Sequence, residues 1–79
     1  MSKGFANIQR LRVLKELNQE PGKSVLDLAD DLDLSYKSMA QHLERMAAAG
    51  LISKKRQGGR VLHELTKLGR KIYQFLRTL

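Results

Sequence analysis

Four side chains in the stretch "SYKSMAQHLERM", residues 35–46, are hydrogen-bonding groups: Lys37, Ser38, Gln41 and Arg45. Met39, Leu43 and Met46 recur at i, i+4 and i+7, so a helix here buries these three and turns the polar four outward. The chemistry such a face offers is recognition. A helix fits the major groove of duplex DNA, where Gln pairs bidentately with adenine and Lys favours guanine. Lys37, Ser38 and Gln41 stand near the helix N-terminus, where groove-reading side chains act. Arg45, two turns in, suits a phosphate or a flanking base. Ser35 is placed to cap the helix, with backbone N–H groups left facing a phosphate oxygen. Tyr36 and His42 lie at opposite edges of the apolar stripe, as backbone contacts or as seals on the core. Taken alone, this polar face fits plain solvation as well as it fits DNA.

A second group of bases follows in "KKRQGGR": Lys54, Lys55, Arg56, Gln57 and Arg60 around Gly58-Gly59. Ile52 before it, and Val61, His63 and Leu65 in alternation after it, predict a β-hairpin with both glycines supplying positive φ at the tip. A basic hairpin directly after two helices is arranged to lie on the phosphate backbone or enter the minor groove, and Arg60 is the natural minor-groove probe. The charge pattern agrees. The chain carries a formal net charge of +7 in 79 residues. From Ser53 onward eight bases face one acid, Glu64, whereas from Glu20 to Leu34 five acids face one base, Lys23. Such polarity is expected if one surface meets a polyanion and another does not.

Other chemistries find little support. The chain has no cysteine, which excludes disulfides, thiolate zinc sites and thiol redox sensing. His42 and His63 fall on different elements, without ligand-like spacing to an acid. Asp30, Asp31 and Asp33 lack the glycine and distal glutamate of a calcium loop, and Gly58-Gly59 matches no phosphate-binding pattern. The expectation is a protein without catalytic residues, metal or cofactor. No apolar run reaches the length of a membrane span and no apolar signal core opens the chain, so a cytoplasmic protein with no membrane partner is expected.

The elements that must position these residues follow from periodicity and caps. Phe5, Ile8, Leu11, Leu14 and Leu17, broadened by Val13, predict a first helix over 5–19, stopped by Pro21-Gly22. Ser24 with Asp27 resembles a capping box opening a short second helix, and Ser24 is also placed to touch DNA backbone. "DLS" makes a tight turn, with Leu34 plugging the core, before the helix from Tyr36 to Ala49, which Gly50 ends. After the hairpin, Thr66 caps a last helix over 67–79, with Gly69 placed for close packing. A short strand near Lys23-Ser24 is in reach of the hairpin. The fold class expected is α+β, mainly α, as one domain over 1–79: a winged helix-turn-helix with a three-helix core, a two- or three-stranded β-wing and a C-terminal helix.

Residues 24 to 70, about 47 of the 79, resemble a winged helix-turn-helix of the MarR/ArsR type of bacterial and archaeal regulators. "SVLDLADDLDLSYKSMAQHLERMAAAGLI" resembles the capped helix, "L-S" turn, recognition helix and "GLI" lead into the wing. "LTKLGR" resembles the junction that opens the helix after the wing. The resemblance implies a homodimer on a pseudo-palindromic operator, usually as a repressor. This wing lacks the longer loop common in MarR-type proteins, the flanking helices are too few for the usual ligand pocket, and the ArsR-type cysteine site is absent. No small-molecule or metal effector therefore carries over, and a minimal winged-helix protein is the closer match in size.

A core of this size is marginal alone, and dimerisation is a common remedy. Phe5, Ile8 and Leu11 at one end, and Ile72, Tyr73, Phe75, Leu76 and Leu79 at the other, supply more apolar surface than such a core needs. A homodimer through the terminal helices is expected. The function expected is sequence-specific regulation of transcription on double-stranded DNA. The alternatives are a non-specific architectural DNA protein and a winged-helix module that binds another protein.

Overall fold

The computed structural model describes residues 2–79, apart from the side chains of Ser2, Lys3 and Phe5. Phe5 as a contributor to a dimer therefore lies outside the described residues. Helix α1 runs Ser2–Gln19 and buries Val13, Leu14 and, one turn on, Leu17. Ile8 and Leu11, from the same apolar stripe, stay exposed. Beyond the helix, Gly22 adopts φ +87°, where a side chain would be strained, and its N–H donates to His63 O at 2.8 Å.

Helix α2 spans Val25–Leu32 behind a complete capping box. Ser24 Oγ accepts from the Asp27 N–H and Asp27 Oδ2 accepts from the Ser24 N–H, each at 3.1 Å. Asp33 ends the helix in the left-handed region, φ 57°, with its N–H donated to Ala29 and Asp30 carbonyls. The orphan Leu32 carbonyl accepts from Arg12 Nη2 at 3.0 Å, so a guanidinium from α1 finishes α2. Helix α3, Tyr36–Ala48, follows directly, with Ser35 Oγ accepting from Ser38 N. Gly50, at φ +80°, then releases the chain.

Strands β1, Ile52–Gln57, and β2, Arg60–Leu65, pair antiparallel from Ile52↔Leu65 to Gln57↔Arg60. Of the two tip glycines only Gly58 has positive φ, +62°. The expectation of positive φ at both is corrected: a two-residue turn of the II′ pattern needs it only at the first position. The third strand is a single antiparallel bridge, Lys23↔His63. Helix α4, Lys67–Arg77, begins at Thr66, whose Oγ1 accepts from Gly69 N and donates to Gly50 O. A Cβ on Gly69 would stand 2.0 Å from Leu51 O, which explains the glycine inside a helix.

One core joins the helices to the root of the wing, with Val13, Leu17, Leu28, Met39, Leu43 and Met46 at its centre and Ile52 and Leu65 closing it. Tyr73 belongs to this core, packed within the monomer. Its expected place among the residues offered to a partner is corrected: the neighbours it was to find in a second copy it finds at home. The architecture is that of a winged helix-turn-helix, mainly helical.

Candidate nucleic-acid interface

The α2–turn–α3 unit buries Met39, Leu43 and Met46 and leaves Lys37, Gln41 and Arg45 exposed along one side of α3. Ser38, one step round the helix, is half-buried. Tyr36 opens the helix with 59% of its surface exposed, so it does not seal the core. His42 is half-buried at the far edge. Burial first, then the positive charge of Arg10 and Arg45, pushes its pKa below the ordinary 6.5. The first turn of α3 holds no acid, which leaves its positive dipole end uncompensated by the chain.

The first turn of α2 differs. Asp27 sits in it, and the Ser24 N–H is already donated to that carboxylate. Ser24 therefore has its N–H committed within the cap, and it has a negative neighbour. Bonds from the Ser24 backbone and hydroxyl, then Arg60, hold the Asp27 carboxyl below its usual range.

Lys54, Lys55, Arg56 and Gln57 lie exposed along β1, opposite β2. None of the three bases has an ion-pair partner among the described residues. Arg60, across from Gln57, does: its Nη2 stands 2.9 Å from Asp27 Oδ2. This contact joins residues 33 apart in the chain, and no local pattern announced it. A cleft lined by Ser24, Leu26, Tyr36, Gly59, Arg60 and Val61 separates the wing tip from the starts of α2 and α3. The wing tip, with Arg60, thus shares this cleft with the first turns of α2 and α3.

The root of the wing is fixed to the acidic side. His63 is buried; its N–H donates to Lys23 O at 2.8 Å and its Nδ1 lies 2.9 Å from the same carbonyl. A carbonyl only accepts, so Nδ1 carries the proton. Lys23 Nζ is held by Asp31, by Glu16 at 2.8 Å and by Glu20 at 3.1 Å, which together raise its pKa above the ordinary lysine range. The sequence marked Lys23 only as a lone base among acids.

A family model described as a helix-turn-helix domain matches residues 6–54, from α1 into the wing. The chain belongs to this helix-turn-helix family. It is 35% identical over 63 residues to the HTH-type transcriptional regulator YgaV of Escherichia coli K12, covering 80% of this chain and 64% of that one. Among solved structures it is similar to the PcaV transcriptional regulator of Streptomyces coelicolor, at 28% identity and TM-score 0.83, over 87% of this chain and 51% of PcaV. The apo form of MarR from E. coli shares the fold, with TM-score 0.84 at 19% identity, over 89% of this chain and 54% of MarR. The chain thus spans less than two thirds of these relatives' lengths, and what matches is their winged helix-turn-helix part. Among the described residues no group of three or more metal-ligating side chains gathers, and no helix is long and apolar enough to cross a membrane.

Proposed function

We propose that this helix-turn-helix chain is a DNA-binding transcriptional regulator that acts without catalysis, in the cytoplasm, by occupying its operator. The observation that carries this is a helix-turn-helix whose α3 exposes the donors Lys37, Gln41 and Arg45, next to a wing whose three β1 bases have no acid partner among the described residues. Helix α3 enters the major groove, with Lys37, Ser38 and Gln41 toward base edges and Arg45 toward a phosphate. Lys54, Lys55 and Arg56 hold the flanking backbone. Occupying a promoter in this way blocks polymerase, so the chain acts as a repressor.

The working unit is a homodimer. An apolar groove of about 490 Å³ between α1 and α4 is lined by Ile8, Leu11, Leu14, Leu51, Ile72 and Leu76. Beside it Phe75 and Leu79 are 64% and 86% exposed. Arg10 borders the groove, and its Nε is buried without a hydrogen-bond partner among the described residues. A second copy on this groove covers the apolar surface and brings acceptors to that nitrogen. Two-fold symmetry then doubles the DNA contacts and fixes their spacing.

The test is selection of random duplexes by the purified protein and sequencing of the retained pool. The expected result is an inverted repeat with half-sites about one helical turn apart. A pool that binds without converging points to an architectural protein; a pool that is never retained rejects DNA as the partner.

A further inference from the structure

Arg60 is the one wing base that an acid of the chain already holds. Asp27 Oδ2 faces its Nη2 at 2.9 Å, while Lys54, Lys55 and Arg56 point from β1 without an acid partner among the described residues. The pair is open to solvent: the Arg60 and Asp27 side chains are 60% and 43% exposed. The carboxylate is itself fixed, because Ser24 N–H and the capping box orient it. Asp27 is therefore an anchored, local competitor for whatever anion Arg60 meets on DNA.

An exposed ion pair of this kind is worth little, so a strong anionic site displaces it. The phosphates of ordinary duplex are not all equal in this exchange. Where A·T tracts narrow the minor groove, the negative potential deepens and an inserted guanidinium gains more. In a wide groove Arg60 gains about what it gives up at Asp27.

We infer that Asp27, which touches no DNA, is a specificity-determining residue: by holding Arg60 until a narrow minor groove outcompetes it, Asp27 makes the wing-tip contact conditional on flanking sequence. This rests on the DNA-binding reading above. Asp27→Asn removes the competing charge and keeps an oxygen for the Ser24 N–H. Arg60→Ala removes the group being competed for, at an exposed tip.

The experiment measures binding to two duplexes of about two helical turns, one carrying A·T tracts and one G·C in their place, by anisotropy over a salt series. Four proteins are compared: wild type, Asp27→Asn, Arg60→Ala and the double variant, each first checked for an unchanged melting transition. Wild type is expected to favour the A·T duplex. Asp27→Asn is expected to bind the G·C duplex about two- to five-fold more tightly, the range an exposed pair supports, and the A·T duplex less so. Its preference for A·T shrinks, and its salt dependence on the G·C duplex steepens by about one counterion. Arg60→Ala loses the preference, and adding Asp27→Asn to it changes nothing more. An equal gain from Asp27→Asn with and without Arg60 means that Asp27 acts as bulk charge, and overturns the inference. Wild-type affinities for Asp27→Asn on both duplexes overturn it too. If wild type binds neither duplex, the DNA-binding reading itself fails, an outcome distinct from either.

Discussion

Gln41 and Lys55 both stand exposed on the proposed DNA side, yet they are expected to respond differently to removal. In the proposed complex Gln41 on α3 is a reader: Gln41→Ala should relax base choice at one operator position, at about 1–3 kcal/mol against the preferred base. Lys55 on β1 is there a clamp on the proposed duplex: Lys55→Ala should weaken all duplexes alike and lower the salt slope by about one. Competition binding against single-base operator variants separates the two; identical profiles for both variants would sink the division. His63 bears on stability. Burial lowers its pKa most, and Lys54 adds to this, against the bond to Lys23 O. The folded protein therefore binds its proton less readily than the unfolded chain does. The His63 contribution is intact above the ordinary 6.5 and is lost as pH falls from there toward the folded-state pKa. A histidine NMR titration should place His63 below 6.5, and denaturation midpoints should fall from about pH 7.5 to about pH 5. A His63 value above 6.5 contradicts this account.

Among the elements, α4 shows how local and tertiary terms compete. Alanine favours a helix over glycine by about 1 kcal/mol, so propensity alone makes Gly69→Ala stabilising. A Cβ at 2.0 Å from Leu51 O reverses the sign, because the obstacle is backbone that also accepts the Thr66 N–H. A net loss of about 3 kcal/mol is expected in urea unfolding, with α4 displaced from the β1 junction. Nearly every element was legible in the sequence, since each carries its own start and stop: Ser24 with Asp27, Ser35 with Gly50, Thr66. The stripe of Met39, Leu43 and Met46 fixed which side of α3 faces out. What the sequence did not show are contacts made across the fold. Arg60 meets Asp27, Arg12 caps Leu32, and Lys23 gathers Glu16, Glu20 and Asp31 only once α1, α2 and the wing are brought together. Tyr73 was misplaced for the same reason: an aromatic on an amphipathic helix looks alike whether its partner is the monomer core or a second copy.

At the scale of the whole molecule, charge and apolar surface are segregated. Exposed bases stand on α3 and along the wing, acids surround Lys23 at the α1–α2 connection, and the groove of Ile8, Leu11, Ile72 and Leu76 runs between the terminal helices. Leu76→Glu should put a charge into that groove, give a monomer by sedimentation and weaken operator binding; a dimer with normal affinity means the copies meet elsewhere. The wing also has two mechanical regimes. Near its base, His63 is tied on one flank to β1 and on the other to Lys23 and Gly22, so three chain segments share the load. Beyond that bridge the hairpin continues as two strands to Gly58. A stiff base and a compliant end make a cantilever whose pivot is His63. In hydrogen exchange, its amide should outlast those of Arg56 and Arg60 by orders of magnitude. In the proposed complex the end follows grooves of different width while α3 keeps its angle.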